Sequence, residues 1–119
     1  MTVRPDDSPS GSGRGVPPAA LLARAFNVLG KRWNAVVLGR LGAAPASFRE
    51  LSRAIEGISD SVLSDRLSDL VEGGVISRTV VEGPPLAVHY ALTDRGRAPM
   101  PALEQIAQWA RVHLHDDGH

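Results

Sequence analysis

The sequence predicts a mainly α chain with one small antiparallel β-hairpin, in the order of a winged helix-turn-helix extended by a helix at each end. Three observations within residues 47–93 predict it. Two short amphipathic segments flank a tight Glu56-Gly57-Ile58-Ser59 break, a double stop follows at Gly73-Gly74, and two β-branched runs are joined by Glu82-Gly83-Pro84-Pro85.

The elements follow in order. Residues 19–29 carry Leu21, Leu22, Ala25, Phe26 and Leu29 at helical spacing, and residues 33–41 carry Val36, Val37, Leu38 and Leu41. Both are expected to be largely buried. Ser47-Phe48-Arg49-Glu50 reads as a capping box, in which the Ser47 hydroxyl accepts from the Glu50 amide and the Glu50 carboxylate accepts from the Ser47 amide. Phe48, Leu51 and Ile55 then share a stripe. Gly57 can take the left-handed conformation just past the helix end, and Ser59 can cap the next helix with Ile58 and Leu63 as a hydrophobic staple. That helix runs over residues 59–71, with Leu63, Leu67 and Leu70 inward and Ser61, Ser64, Asp65 and Ser68 outward. Its outward face is the one a DNA major groove would meet.

Residues 75–81 and 87–92 read as the two strands of the wing, which must lean on the helices because an isolated hairpin is marginal. Thr93 can cap a last helical region that Pro99 and Pro101 force to restart, leaving residues 101–114 as its well-formed part. Its stripe of Leu103, Ile106, Ala107, Ala110 and Leu114, widened by Trp109 and Val112, exceeds what one small domain needs. A second subunit is the natural cover.

Composition fits one small domain. With 119 residues, 43% of them hydrophobic, the chain can bury one modest core that dimerisation would enlarge. Residues 1–18, rich in Pro, Ser, Gly and Asp, are expected to be a disordered tail, as are residues 115–119, leaving 19–114 as the domain. Gly11-Ser12-Gly13-Arg14-Gly15 has no preceding strand and the wrong spacing for a nucleotide loop. The 13 basic and 13 acidic residues balance, but unevenly: residues 1–46 carry a net +4, residues 47–90 a net −3 and the remainder −1. Any phosphate neutralisation must therefore come from Lys31, Arg32, Arg40, Arg49, Arg53 and Arg78 more than from the helix after Ser59. Zero cysteines exclude disulfides and thiolate metal sites within these residues and are compatible with a reducing cytoplasm. No apolar run approaches bilayer length and no signal-peptide core opens the chain, so a cytoplasmic protein with no membrane partner is expected.

The chain resembles the HxlR family of bacterial transcriptional regulators, a MarR-like winged-helix branch, over residues 19–114. The residues that carry the resemblance are Val28-Leu29-Gly30-Lys31-Arg32-Trp33 with Leu38-Gly39-Arg40-Leu41, then Ser47-Phe48-Arg49-Glu50-Leu51, and Gly57-Ile58-Ser59 with Leu63-Ser64-Asp65-Arg66-Leu67. The wing and its exit, Pro84-Pro85 to Tyr90-Ala91-Leu92-Thr93-Asp94-Arg95-Gly96, and Trp109 complete it. The resemblance implies a homodimeric DNA-binding regulator, usually a repressor, whose terminal helices build the dimer interface. Leu21, Leu22, Phe26, Leu103, Ile106, Trp109, Ala110 and Leu114 are the candidates for that interface. Many members carry a sensing cysteine near the start of the first helix; here the position falls around Ala20, so thiol sensing is not expected. Recognition helices in the family are commonly basic, whereas this one carries Asp60, Asp65, Asp69 and Glu72 beside its serines. Ala87 stands where a wing arginine is common.

The expected DNA contacts divide by kind. Ser59, Ser61 and Ser64 approach base edges and phosphates, with Asp65 and Arg66 on the same helix, while Lys31, Arg32, Arg49 and Arg53 serve the backbone and Arg78 with His89 serves the wing. Two half-sites roughly 34 Å apart would be read by a dimer. Arg66 fits an intramolecular bridge to a nearby carboxylate as well as a phosphate contact, and His89 is most simply a wing-strand residue. Trp33, Trp109 and Tyr90 read as core more than as ligand pocket. His113, His115, Asp116, Asp117 and His119 have a metal-like composition in a polar terminus that reads as tail, so no metal or cofactor is expected. No cysteine, paired carboxylates or Ser-His-Asp arrangement suggests an enzyme. A winged-helix module for protein contacts, without DNA, is the alternative, motivated by the acidic helix. An effector small molecule is left open.

Overall fold

The structure, a computed structural model, describes residues 15–114. The expected C-terminal tail and most of the N-terminal one lie outside these residues, as do His115, Asp116, Asp117 and His119 of the histidine-rich terminus. The described elements are α1 (Pro18–Leu29), α2 (Asn34–Ala43), β1 (Ala46–Ser47), α3 (Phe48–Ala54), α4 (Asp60–Glu72), β2 (Ile76–Val81), β3 (Ala87–Leu92), α5 (Asp94–Arg97) and α6 (Met100–His113). They form a mainly helical winged fold around a small antiparallel sheet.

The core is built where the apolar periods of three helices meet one face of the sheet. Val37, Leu38 and Leu41 of α2, Leu51 of α3 with Ile55 just beyond it, and Leu63, Leu67 and Leu70 of α4 pack with Ala46, Val75, Ile76, Tyr90 and Leu92. Phe48, Ile58 and Val71 pack against this cluster from its edge. Val36, expected inward on α2, is instead exposed, because a helix buries only the stripe that meets its neighbours.

Local signals set the helix boundaries. Ser47 Oγ accepts from Glu50 N at 3.1 Å and Glu50 Oε1 accepts from Ser47 N at 2.8 Å, closing the capping box of α3. Gly57 takes φ +89°, and Ser59 Oγ accepts from Val62 N at 3.1 Å to open α4. The Ser47 amide, and after it the Ser47 hydroxyl, hold the Glu50 carboxyl below the usual glutamate range. A lowered folded value means the charged cap contributes above the ordinary glutamate range and is lost as pH falls through the lowered one. Ser47→Ala removes the hydroxyl that caps the Glu50 amide and should lower stability by about 1 kcal/mol at neutral pH. The Tm gap between wild type and Glu50→Gln should shrink on acidification, as thermal melts across that range would read.

The sheet has three strands in the order β1-β3-β2, where a two-stranded hairpin was expected. Ala46 and Ser47 pair antiparallel with Tyr90 and His89, so β3 is the central strand. The hairpin register sets Ile76 opposite Leu92, Arg78 opposite Tyr90 and Thr79 opposite His89. Because side chains alternate along a strand, Arg78 and Tyr90 share the core-side face and His89 lies on the other.

The chain end behaves as its prolines require. Thr93 Oγ1 accepts from Gly96 N at 3.2 Å to cap the single turn α5, and α6 restarts at Met100 with Pro101 inside its first turn.

One expectation for the helices is overturned. Residues 19–29 were expected to be largely buried, yet α1 has no buried residue; only Val28 and Leu29 at its end pack toward the core. Leu21, Leu22 and Phe26 are exposed, Leu22 by 59%. The end of α1 is fixed by Asn34, whose Nδ2 donates to Val28 O at 2.6 Å, and the rest of the helix finds no cover within the described chain. Nor does α6 bury any residue: Ile106, Trp109, Val112 and Leu114 are exposed, while Leu103 and Ala110 are half-buried.

Candidate nucleic-acid interface

The α3–α4 pair presents a continuous polar surface because its buried residues fall on one side. In α4 the stripe of Leu63, Leu67 and Leu70 points to the core, and Ser61, Ser64, Asp65 and Ser68 are all exposed opposite or beside it. None of those four side chains hydrogen-bonds to a described residue. Ser59 is different, since its oxygen already accepts from Val62 N, which leaves its hydroxyl hydrogen and one lone pair for a ligand.

On α3, Arg49 and Arg53 stand one turn apart and line a shallow cleft with Phe48, Ser52 and Asp60. Both arginines are exposed and neither forms an ion pair with a described residue. Asp60 is held instead by Ser52 Oγ, which donates to Oδ1 at 2.8 Å. Ser52 was absent from the expected site. Its spacing of three from Arg49 was the available signal, though the partnership with Asp60 depends on the turn between the helices.

On the other side of α4, Arg78 joins Ser64, Leu67, Ser68, Val71, Glu72 and Tyr90 around an open groove between helix and wing. Register explains the meeting: Arg78 opposes Tyr90 and so leans from the same sheet face that α4 covers. The structure thus sets Arg49 and Arg53 of α3 beside the start of α4, at Asp60, and Arg78 of the wing beside Ser64 and Ser68 on its other side.

Four expected contact residues are placed elsewhere or otherwise engaged. Asp69 Oδ2 accepts from Lys31 Nζ at 3.2 Å and forms an ion pair with Arg66 Nη2 at 2.9 Å, so one carboxylate occupies both cations near the C-terminal half of α4. Arg66 is only 19% exposed, which leaves it little freedom to turn outward. Arg32 lies over the Trp33 ring, 4.8 Å from its centroid. His89, on the far sheet face, stands opposite Ser47 and close enough to Glu50 to help lower that carboxyl.

This engagement changes the reading of α4 as an acidic helix. Asp60 is bonded to Ser52, and Asp69 is neutralised twice over. Glu72 lies at the helix end. Among the described residues, Asp65 alone is an unengaged carboxylate in the first two turns of α4.

Two capped helices about a glycine turn, followed by a sheet-borne wing, define a winged helix-turn-helix protein. The family model for HxlR-like helix-turn-helix proteins matches residues 28–117, and the chain belongs to that family. It is 38% identical over 87 residues to an uncharacterised HTH-type transcriptional regulator of Bacillus subtilis, YvaP, covering 73% of this chain and 81% of that one. To the HTH-type transcriptional regulator YodB of the same organism it is 35% identical over 86 residues, covering 72% of this chain and 77% of that one. The reduced form of YodB superposes with a TM-score of 0.72 over 85% of this chain and 99% of that one, at 31% identity. The redox regulator HypR in its oxidised form superposes with a TM-score of 0.75 at 25% identity, over 81% and 98% of the two chains.

Proposed function

We propose that this chain is a sequence-specific transcriptional regulator that acts as a homodimer, as a repressor on a pseudo-palindromic operator, without a thiol sensor. One observation carries the reading: Ser61, Ser64, Asp65 and Ser68 form an exposed polar row on α4 with no partner among the described residues, bordered by Arg49 and Arg53 on one side and Arg78 on the other. Hydroxyls and a carboxylate can address base edges, and guanidinium groups address phosphates from flanking elements. Lys31 and Arg66, held by Asp69, support the helix rather than the contact.

The dimer follows from uncovered apolar surface. An isolated 12-residue helix is marginal in water, and α1 keeps Leu21, Leu22 and Phe26 exposed. The last helix, α6, likewise exposes Ile106, Trp109, Val112 and Leu114, and Leu103 opens with Val36 and Ile106 on a groove of small residues between α2 and α6. A second copy supplies matching apolar faces, as two-fold symmetry requires. As for signal, the YodB structure is of a reduced form and that of HypR, a redox regulator, of an oxidised form, but none of the 119 residues here is a cysteine. Regulation in this chain runs through another route.

The test separates positioning from reading. Arg49→Ala and Arg53→Ala should each weaken binding to all duplexes alike and flatten the dependence on salt by about one unit per lost phosphate contact. Titrations on specific and random duplexes at several salt concentrations check this. Unchanged slopes in both variants would remove α3 from the interface.

A further inference from the structure

The unengaged carboxylate on α4 leads to a statement about sequence preference. Ser61, Asp65 and Ser68 follow at intervals of four and three, which places them on one line along the helix, opposite Leu63, Leu67 and Leu70. Asp65 is the charged member of that line within the first two turns, about 7.5 Å along the axis from Asp60. The other early carboxylate, Asp60, is satisfied by Ser52, and Asp69 by Lys31 and Arg66. Asp65 is exposed and receives no hydrogen bond from any described residue.

Resting on the DNA-binding reading above, we infer that Asp65 is the specificity-determining residue of α4 and that it selects cytosine through the exocyclic N4 amino group. An ionised carboxylate only accepts hydrogen bonds. In the major groove, guanine offers acceptors at N7 and O6, and thymine an acceptor at O4 beside a methyl, so both repel it. Adenine offers the N6 amine, but its N7 acceptor lies alongside and faces a carboxylate unfavourably. Cytosine offers N4–H2 next to an apolar C5–H edge, and it alone presents a donor without an adjoining acceptor on the same base. The neighbouring serines can donate or accept and so carry no such sign. The same charge that repels phosphate lowers affinity for random sequence, which makes Asp65 a residue that trades general affinity for discrimination.

Selection of bound duplexes from a randomised library, run with the wild-type protein and with Asp65→Asn, tests this. The substitution is close to isosteric at an exposed mid-helix position, and circular dichroism reports whether the fold is kept. The wild type should enrich a cytosine in each half-site whose replacement by thymine weakens binding about 10-fold. Asp65→Asn should lose that discrimination, shift the position toward adenine, whose N6 and N7 an amide can bond together, and bind random duplex more tightly. A cytosine kept by Asp65→Asn overturns the assignment. So does an adenine enriched by the wild type and lost in the variant, which would make the amine that of adenine. A wild type that binds duplexes but enriches no sequence overturns Asp65 as a reader while leaving DNA binding intact. No binding of any duplex at low salt overturns the DNA-binding reading itself.

Discussion

Phe26→Asp combined with Trp109→Asp is expected to yield a folded monomer that binds operator DNA about 100-fold or more weakly than the wild type. Both side chains are more than half exposed, at 52% and 54%, so neither is needed by the core of its own chain. In a two-fold interface each substitution occurs twice, and an aspartate buried against apolar partners loses hydration with nothing to replace it. Aromatic anchors of this kind are worth on the order of 2 kcal/mol or more each when truncated. Leu103 is a poorer choice because it is half-buried on the α2 side, and a charge there would also disturb the fold. Sedimentation at micromolar concentration and binding to full and half operators would check both parts. A wild type already monomeric, or a double variant that remains a dimer, would reject these helices as the interface.

How much of this architecture could be read from the residues depends on how local each signal is. The capping box at Ser47 and Glu50, the cap at Ser59 and the leucines of α4 are signals within one or two turns, and each element lies where they point. The strand β3 has six residues of consistent propensity bounded by turn residues and begins and ends where expected. By contrast, β1 has two residues, too few to show a period, and its pairing comes from Tyr90 and His89 more than forty positions away. The exposure of α1 was hidden for a related reason. Spacing says that Leu21, Leu22 and Phe26 want cover, but an apolar stripe does not say whether the cover belongs to the same chain or to another.

The candidate site divides in the same way. Outward placement of Ser61, Ser64, Asp65 and Ser68 follows from helical period alone. What the neighbours do with the charges does not. The shared grip of Lys31 and Arg66 on Asp69 joins residues 38 apart in sequence, and it converts two expected phosphate contacts and one expected repulsion into a single internal cluster. His89 shows the effect of register: one step along β3 separates it from Tyr90 and places it on the sheet face away from α4.

Gly96→Ala should be severely damaging for the addition of a single methyl group, lowering stability by about 3 kcal/mol or more. The glycine is buried, and a Cβ at that position would lie 2.0 Å from Val75 O and 2.9 Å from Val75 C. No relief is available by turning a side chain, since the obstacle is backbone. That backbone is itself tied down: Val75 O accepts from Thr93 N at 3.1 Å, Gly74 O from Thr93 Oγ1 at 2.6 Å and Gly73 O from Arg95 Nη1 at 3.0 Å. Residues 73–75 join the end of α4 to the start of β2, so displacing them shifts the recognition helix relative to the wing that carries Arg78. Measured in the Phe26→Asp, Trp109→Asp background, where dimer dissociation does not enter the melt, the variant should lose roughly 10–15 °C in Tm. Gly39→Ala is the control. It adds a methyl to a helical position with nothing within 4 Å and should gain roughly 0.5–1 kcal/mol. A Gly96→Ala melt within 3 °C of its parent would mean that α5 can lift off Val75 at little cost, and the junction between α4 and the wing would then be held by Thr93 and Arg95 alone.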